Sequence, residues 1–150
     1  MKITITLSKL AVFEEVAQTS GYTATKTDGD ANAYERMTIV DEDESELNRF
    51  WDESRADVVQ ALIRMIESEG MSTDGDTYQL GLNVSESFEK ALVPSIETGL
   101  FFYFVKSIVG KWFAYTNKKD SGEYATMGKA MLEGVKAKLL YKKKPERPEY

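Results

Sequence analysis

The residues of this chain best suited to chemistry are carboxylates, and they are concentrated in two short stretches. The first is Asp41-Glu42-Asp43-Glu44-Ser45-Glu46, which could supply metal ligands or a carboxylate pair for acid–base catalysis. The alternative is a helix start, where acids interact favourably with the positive end of the helix dipole. Consecutive residues of a helix point in different directions rather than towards one ion. We therefore favour the helix start.

The second stretch, Asp28-Gly29-Asp30-Ala31-Asn32, begins like a calcium-binding loop. The pattern then fails, because Ala33 stands where such a loop needs glycine and Ile39 stands where it needs a bidentate glutamate. A solvent-exposed loop is the expected structure. We expect no metal and no cofactor.

The chain contains neither cysteine nor histidine. The absence of cysteine excludes disulfides, thiolate catalysis and thiolate metal sites. The absence of histidine removes the commonest general base and the commonest zinc ligand, and with it the Ser–His and Cys–His triads. We expect no catalytic residues; a carboxylate enzyme using a divalent metal remains as a third hypothesis.

Charge is distributed unevenly along the sequence. Residues 1–100 carry 20 acidic and 8 basic side chains, whereas residues 101–150 carry 5 acidic and 11 basic ones. Such a charge asymmetry gives information about binding partners rather than about the fold. It predicts an acidic face and a basic end, so that copies could associate head to tail or the basic end could bind an acidic partner.

Hydrophobic periodicity predicts a mainly α (α+β) single domain over residues 1–150, with three long helices, a short N-terminal helix and a small strand or hairpin element. The long helices are expected at 42–69, 95–118 and 123–141, and a short helix capped by Ser8 at 9–18. Residues 2–7 are expected to form a short strand or an extended arm, and a turn at 74–76 is expected to lead into a strand at 77–84. Residues 22–33 are expected to form a mobile loop, and 34–40 either a strand or a helical turn.

The helix at 95–118 is apolar over most of its circumference, which predicts neighbours on both flanks. Its longest apolar run, 100–105, is far shorter than a membrane span. Residues 1–7 lack the apolar core of a signal peptide. We expect a soluble, cytoplasmic protein.

Several residues are candidates for contact with a subunit or partner. Trp112 is expected to face the core, whereas Phe102, Phe113 and Met71 are expected to be exposed or to face a subunit. The basic, proline-interrupted tail 142–150 could contact nucleic acid. The acidic protein and the lack of interleaved aromatics other than Tyr141 favour a solvated tail or a tail that docks on a protein. The interface residues predicted on these grounds are Phe102, Phe113, Tyr141, Lys142, Lys143, Lys144 and Arg147.

The order of elements resembles the head–tail connector (adaptor) proteins of tailed bacteriophages and prophages. The resemblance is carried by the acidic entry 41–44 with the apolar ladder 47–66, by 105–113 with its Trp112-Phe113 pair, and by 127–140 followed by the tail 141–148. It implies a ring of subunits, commonly dodecameric, docked on the portal, with a C-terminal arm that reaches a neighbouring subunit.

These observations predict a non-enzymatic virion assembly protein that resides in the host cytoplasm before incorporation. Its expected partners are further copies in a ring and portal or tail proteins. No small-molecule substrate, nucleic acid or membrane is expected. The alternative is a cytoplasmic adaptor or immunity-type protein that binds one protein partner.

Overall fold

Four helices and three strands make up the described part of the computed structural model, which comprises residues 1–26, 39 and 43–142. The mainly α (α+β) fold class is confirmed. In chain order the elements are β1 (Lys2–Ser8), α1 (Lys9–Lys26), α2 (Glu44–Ala61), β2 (Ile66–Met71), β3 (Thr77–Asn83), a 3₁₀ turn (Lys90–Leu92), α3 (Val93–Thr116) and α4 (Lys118–Leu140).

The three strands form one antiparallel sheet in the order β1-β3-β2. Side chains alternate between its two faces, as the period-two pattern predicts. The buried face is apolar and consists of Ile3, Ile5, Leu7, Tyr78, Leu80 and Leu82. Gly75 closes the β2–β3 hairpin with a φ of 74°, a conformation that side chains with a Cβ adopt with difficulty. Both predicted strands and the predicted turn are confirmed.

The start of α1 is fixed by a shared cap. The Ala11 N–H donates to Ser8 Oγ at 3.1 Å, so the predicted cap is confirmed. Asp76, at the end of the hairpin turn, accepts hydrogen bonds from Ser8 Oγ and from the Leu10 N–H, the latter at 2.8 Å. The carboxylate thereby ties the helix to the sheet.

The apolar helix α3 lies at the centre of the fold and contacts α1, α2, α4 and the sheet. Ten of its residues are buried. Phe104 stacks on Trp51 of α2 with ring centroids 4.3 Å apart. By length and composition, 90–116 is the one candidate membrane span among the described residues, and its position in the core is compatible with a soluble protein.

Helix α4 folds back along α3, and two glycines allow the close approach. A Cβ on Gly110 would lie 3.2 Å from the Ala125 nitrogen, and one on Gly128 would lie 3.3 Å from the Ser107 nitrogen. Glycine inside a helix indicates close helix–helix approach, and Gly110 and Gly128 have that role. Gly134 does not, because an added Cβ there would meet no described atom within 4 Å.

Three predicted helix boundaries are wrong: the end of α1, the end of α2 and the start of α4. Helix α1 continues through Gly21 to Lys26, since Ser20 and Ala24 are buried against the rest of the fold. Residues 22–26 are therefore helical rather than loop. Helix α2 ends at Ala61 instead of residue 69, because 66–71 pairs with β3 as a strand.

Helix α4 begins at Lys118 instead of residue 123, so residues 120–122 are helical. The break lies at Asn117, whose Nδ2 donates to Asp120 Oδ2 at 2.6 Å. The remainder of the predicted loop, 27–33, the ambiguous segment 34–40 except Ile39, and tail residues 143–150 lie outside the described residues.

Candidate interaction surfaces

A polar cluster, of which Ser54 and Tyr103 are buried, links α2 and α3 beside a cavity of about 490 Å³ that is also lined by α4. Ser54 Oγ and Ser107 Oγ are 2.8 Å apart. The Tyr103 hydroxyl lies 3.2 Å from Asp57 Oδ2, to which it donates, and 3.4 Å from the Ser54 carbonyl oxygen. These polar groups form hydrogen bonds with one another where the two helices cross.

Burial, and next to it the negative charge of Asp57, raise the pKa of Tyr103 well above its ordinary value. Its hydroxyl is therefore a hydrogen-bond donor near neutral pH and a poor general base. In the part of the chain that the structure describes, no three acidic side chains are grouped so that they could hold a metal ion. The cluster is accordingly suited to helix packing.

A groove of about 340 Å³ with acidic rims lies between α1 and the start of α2. We call it the acidic groove, and it is lined by Leu10, Phe13, Glu14, Ala17, Ile39, Glu44 and Leu47. Among the residues that the structure describes, its lining includes two carboxylates and no cation. Leu10 is 60% exposed although it is a large apolar side chain.

A second partly apolar surface, with a cavity of about 480 Å³, lies where α2 ends beside the end of α4. We call it the basic end patch, and it is lined by Gln60, Ala61, Ile63, Arg64, Met65, Lys136 and Leu140. Within residues 1–26, 39 and 43–142, its lining includes two cations and no carboxylate. Ile63 is 60% exposed and Leu140 is 58% exposed.

The two surfaces lie near opposite ends of α2. Leu47 lines the acidic groove and Ala61 lines the basic end patch. At a rise of 1.5 Å per residue, the fourteen steps between them span about 21 Å. Only Lys136 of the patch comes from the basic part of the sequence, 101–150, whereas Arg64 comes from the acidic part, 1–100.

The predicted interface residues fall in different environments. Phe113 is fully buried and packs edge-to-face on Tyr124 with ring centroids 5.3 Å apart, so its predicted exposure is wrong. The cause is α4, which covers this side of α3. Phe102 is half-buried against Phe101, and Met71 is half-buried beside the core. Trp112 is buried, as predicted.

At the C-terminal end, Tyr141 is 56% exposed and Lys142 is exposed. Lys142 forms an isolated antiparallel bridge with the buried Phe88. Lys143, Lys144 and Arg147 lie outside the described residues. Of the predicted interface residues, Tyr141 and Lys142 thus follow the end of α4, whereas Phe102 lies on α3.

Sequence reasoning missed Leu10, Ile63 and Leu140 as surface residues. The helical spacing of Leu10 and Leu140 fits an inner helix face approximately, so periodicity does not mark them as exposed. Ile63 had a usable signal, because it falls outside the ladder of Leu62, Met65 and Ile66. An apolar side chain that leaves a buried stripe is a candidate for an exposed contact.

Comparisons with protein-family models, with curated proteins and with solved structures found no match to this chain.

Proposed function

We propose that this chain is a non-enzymatic virion assembly protein, a phage or prophage head–tail connector that forms a ring on the portal. It would reside in the host cytoplasm until it is incorporated. The resemblance in element order supports the proposal. The single observation that carries it is the way the end of α4 is held, because this determines where the basic tail leaves the body.

Two contacts hold that end. Lys138 Nζ donates to Ser95 Oγ at 2.7 Å, which joins the last turn of α4 to the start of α3. Lys142 then pairs with Phe88, whose side chain belongs to the core. A basic tail that starts from a fixed point is suited to act as an arm.

The length and charge of the tail fit that role. The eight residues 143–150, if extended, reach at most about 28 Å, which is enough to meet an adjacent subunit. Lys143, Lys144 and Arg147 supply positive charge. The exposed carboxylates Asp52, Glu53 and Asp57 on α2 of an adjacent subunit offer acceptors for these cations. The cations would compete there with the contacts that these carboxylates make to Arg55, Lys111 and Tyr103.

The test is a truncation after Lys142, which keeps the bridge to Phe88 while removing the arm. We expect an unchanged circular dichroism spectrum and thermal midpoint, and loss of co-purification with the portal protein encoded in the same genome. A full-length control with Lys143, Lys144 and Arg147 replaced by Gln separates charge from length. Portal binding that survives both changes would contradict the role of the arm, and full-length chain that never binds the portal would contradict the connector function.

A further inference from the structure

We propose that the acidic groove of one copy receives the basic end patch of the next copy, which gives a heterologous, head-to-tail contact. The partner is a second copy of this chain. The proposal deepens the connector function and rests on it for its biological setting, whereas its physical test needs no portal.

Charge complementarity identifies the occupant. Glu14 and Glu44 at the groove, and Arg64 and Lys136 at the patch, are exposed. None of the four forms a salt bridge with another residue in the described ranges. Each surface thus presents two uncompensated charges of the sign that the other requires. Such complementarity favours the correct pairing and disfavours groove–groove and patch–patch pairing, where like charges would meet.

The apolar centres of the two surfaces also match. Leu10 stands exposed in the groove, and Ile63 with Leu140 stands exposed in the patch. Contact would remove all three side chains from water, with the charges left at the rim, which is the usual anatomy of a protein interface.

The placement of the surfaces determines the kind of assembly. Because they lie about 21 Å apart along α2, one copy can use both at once with different neighbours. A contact between two different surfaces propagates from copy to copy and closes into a ring when the rotation per step allows. Two copies that pair groove with patch twice across a two-fold axis would instead form a closed dimer, so sedimentation that stops at the dimer would overturn head-to-tail propagation.

The experiment is sedimentation velocity on the full chain over a range of concentrations at low salt, with matched charge reversals. Glu14→Lys alters the groove, and its control is Glu123→Lys on the exposed side of α4. Lys136→Glu alters the patch, and its control is Lys119→Glu near the start of α4. The control residues line neither surface.

We expect the wild type and both controls to self-associate, and each interface variant to show a dissociation constant raised at least about tenfold. An equimolar mixture of Glu14→Lys and Lys136→Glu should recover association, because the intact patch of the first fits the intact groove of the second. A wild type that stays monomeric up to millimolar concentration, or interface variants that match their controls, would overturn the proposal. Head-to-tail association without portal binding would leave this inference standing and reject the connector function.

Discussion

Gly128 on α4 lies directly against the backbone of Ser107 on α3, so that a Cβ built on the glycine would sit 3.3 Å from the Ser107 nitrogen. Gly134, six residues further along the same helix, faces open space. Glycine inside a helix costs about 1 kcal/mol relative to alanine. At Gly128 the close approach of the two helices offsets that cost, whereas at Gly134 nothing within one copy does.

Alanine at these two positions should therefore have opposite effects. We expect Gly134→Ala to raise the free energy of unfolding by about 0.5–1 kcal/mol. Gly128→Ala should lower it by about 1 kcal/mol, since the added methyl group pushes against helix backbone that cannot yield locally. Urea denaturation of both variants measures the difference. Equal stabilisation by both substitutions would show that the two helices are not packed closely here.

The Tyr103 hydroxyl provides a second test, because the tyrosine is buried and its hydroxyl donates to the exposed Asp57 of α2. Tyr103→Phe keeps the ring and removes the donor, and we expect a loss of about 0.5–1.5 kcal/mol in the free energy of unfolding. The matched control is Tyr115→Phe on the same helix, where the tyrosine is exposed and its hydroxyl lies 3.4 Å from Arg49 Nη2. Thermal melts in which the two variants are equally stable would contradict a contribution of the Tyr103–Asp57 hydrogen bond to stability.

The edge of the sheet at β1 supplies a third prediction. The Thr6 N–H points away from β3 and donates to Glu97 Oε2 of α3 at 2.9 Å. A covered edge resists pairing with another strand. Glu97→Ala should therefore increase aggregation on mild heating, as measured by light scattering and thioflavin fluorescence.

Glu97→Gln is the matched control, because its amide oxygen can still accept the Thr6 N–H. We expect it to aggregate no faster than the wild type. If Glu97→Ala aggregates no faster than Glu97→Gln, the hydrogen bond from the Thr6 N–H to residue 97 does not protect this edge.

The hairpin turn gives a prediction about pH. Asp74 accepts hydrogen bonds from the Ser72 hydroxyl and from the N–H groups of Asp76 and Thr77. The Ser72 hydroxyl first, and then the two backbone N–H groups, hold the pKa of Asp74 below its ordinary value. A depressed folded-state pKa gives stability that is present above the unfolded pKa, near 3.9, and that is lost as pH falls through the folded value.

Carbon-detected NMR titration should thus give Asp74 a pKa below about 3.9, and Ser72→Ala should raise it. A value that Ser72→Ala leaves unchanged would show that the hydroxyl does not stabilise the carboxylate.

Elements with a strong local pattern could be predicted from the sequence. The alternation of Tyr78, Leu80 and Leu82 predicts β3, and apolar residues around the circumference predict α3. The pairing of Ser8 with the start of α1 is equally local. In each case the residues that define the pattern are those that the fold buries.

Other features depend on contacts distant in the sequence. Residues 66–71 read as Ile-Glu-Ser-Glu-Gly-Met, which lacks alternation, and they form β2 only because β3 pairs with them. The turn-like residues 120–122 stay helical where α4 packs on Gly110 of α3. Phe113 is buried for the same reason. The exposure of Leu10 and Leu140 depends on the orientation of their helices relative to the core, which periodicity alone does not specify.

The most direct measurement of the central claim is the composition of the particles produced by the genome that encodes this chain. Purified particles would be analysed by quantitative mass spectrometry, with the portal protein as the internal standard, and by electron cryomicroscopy of the portal vertex. We expect the chain in a copy number comparable to that of the portal, as a ring between head and tail. Particles that contain the portal and a tail but lack this chain would contradict the claim.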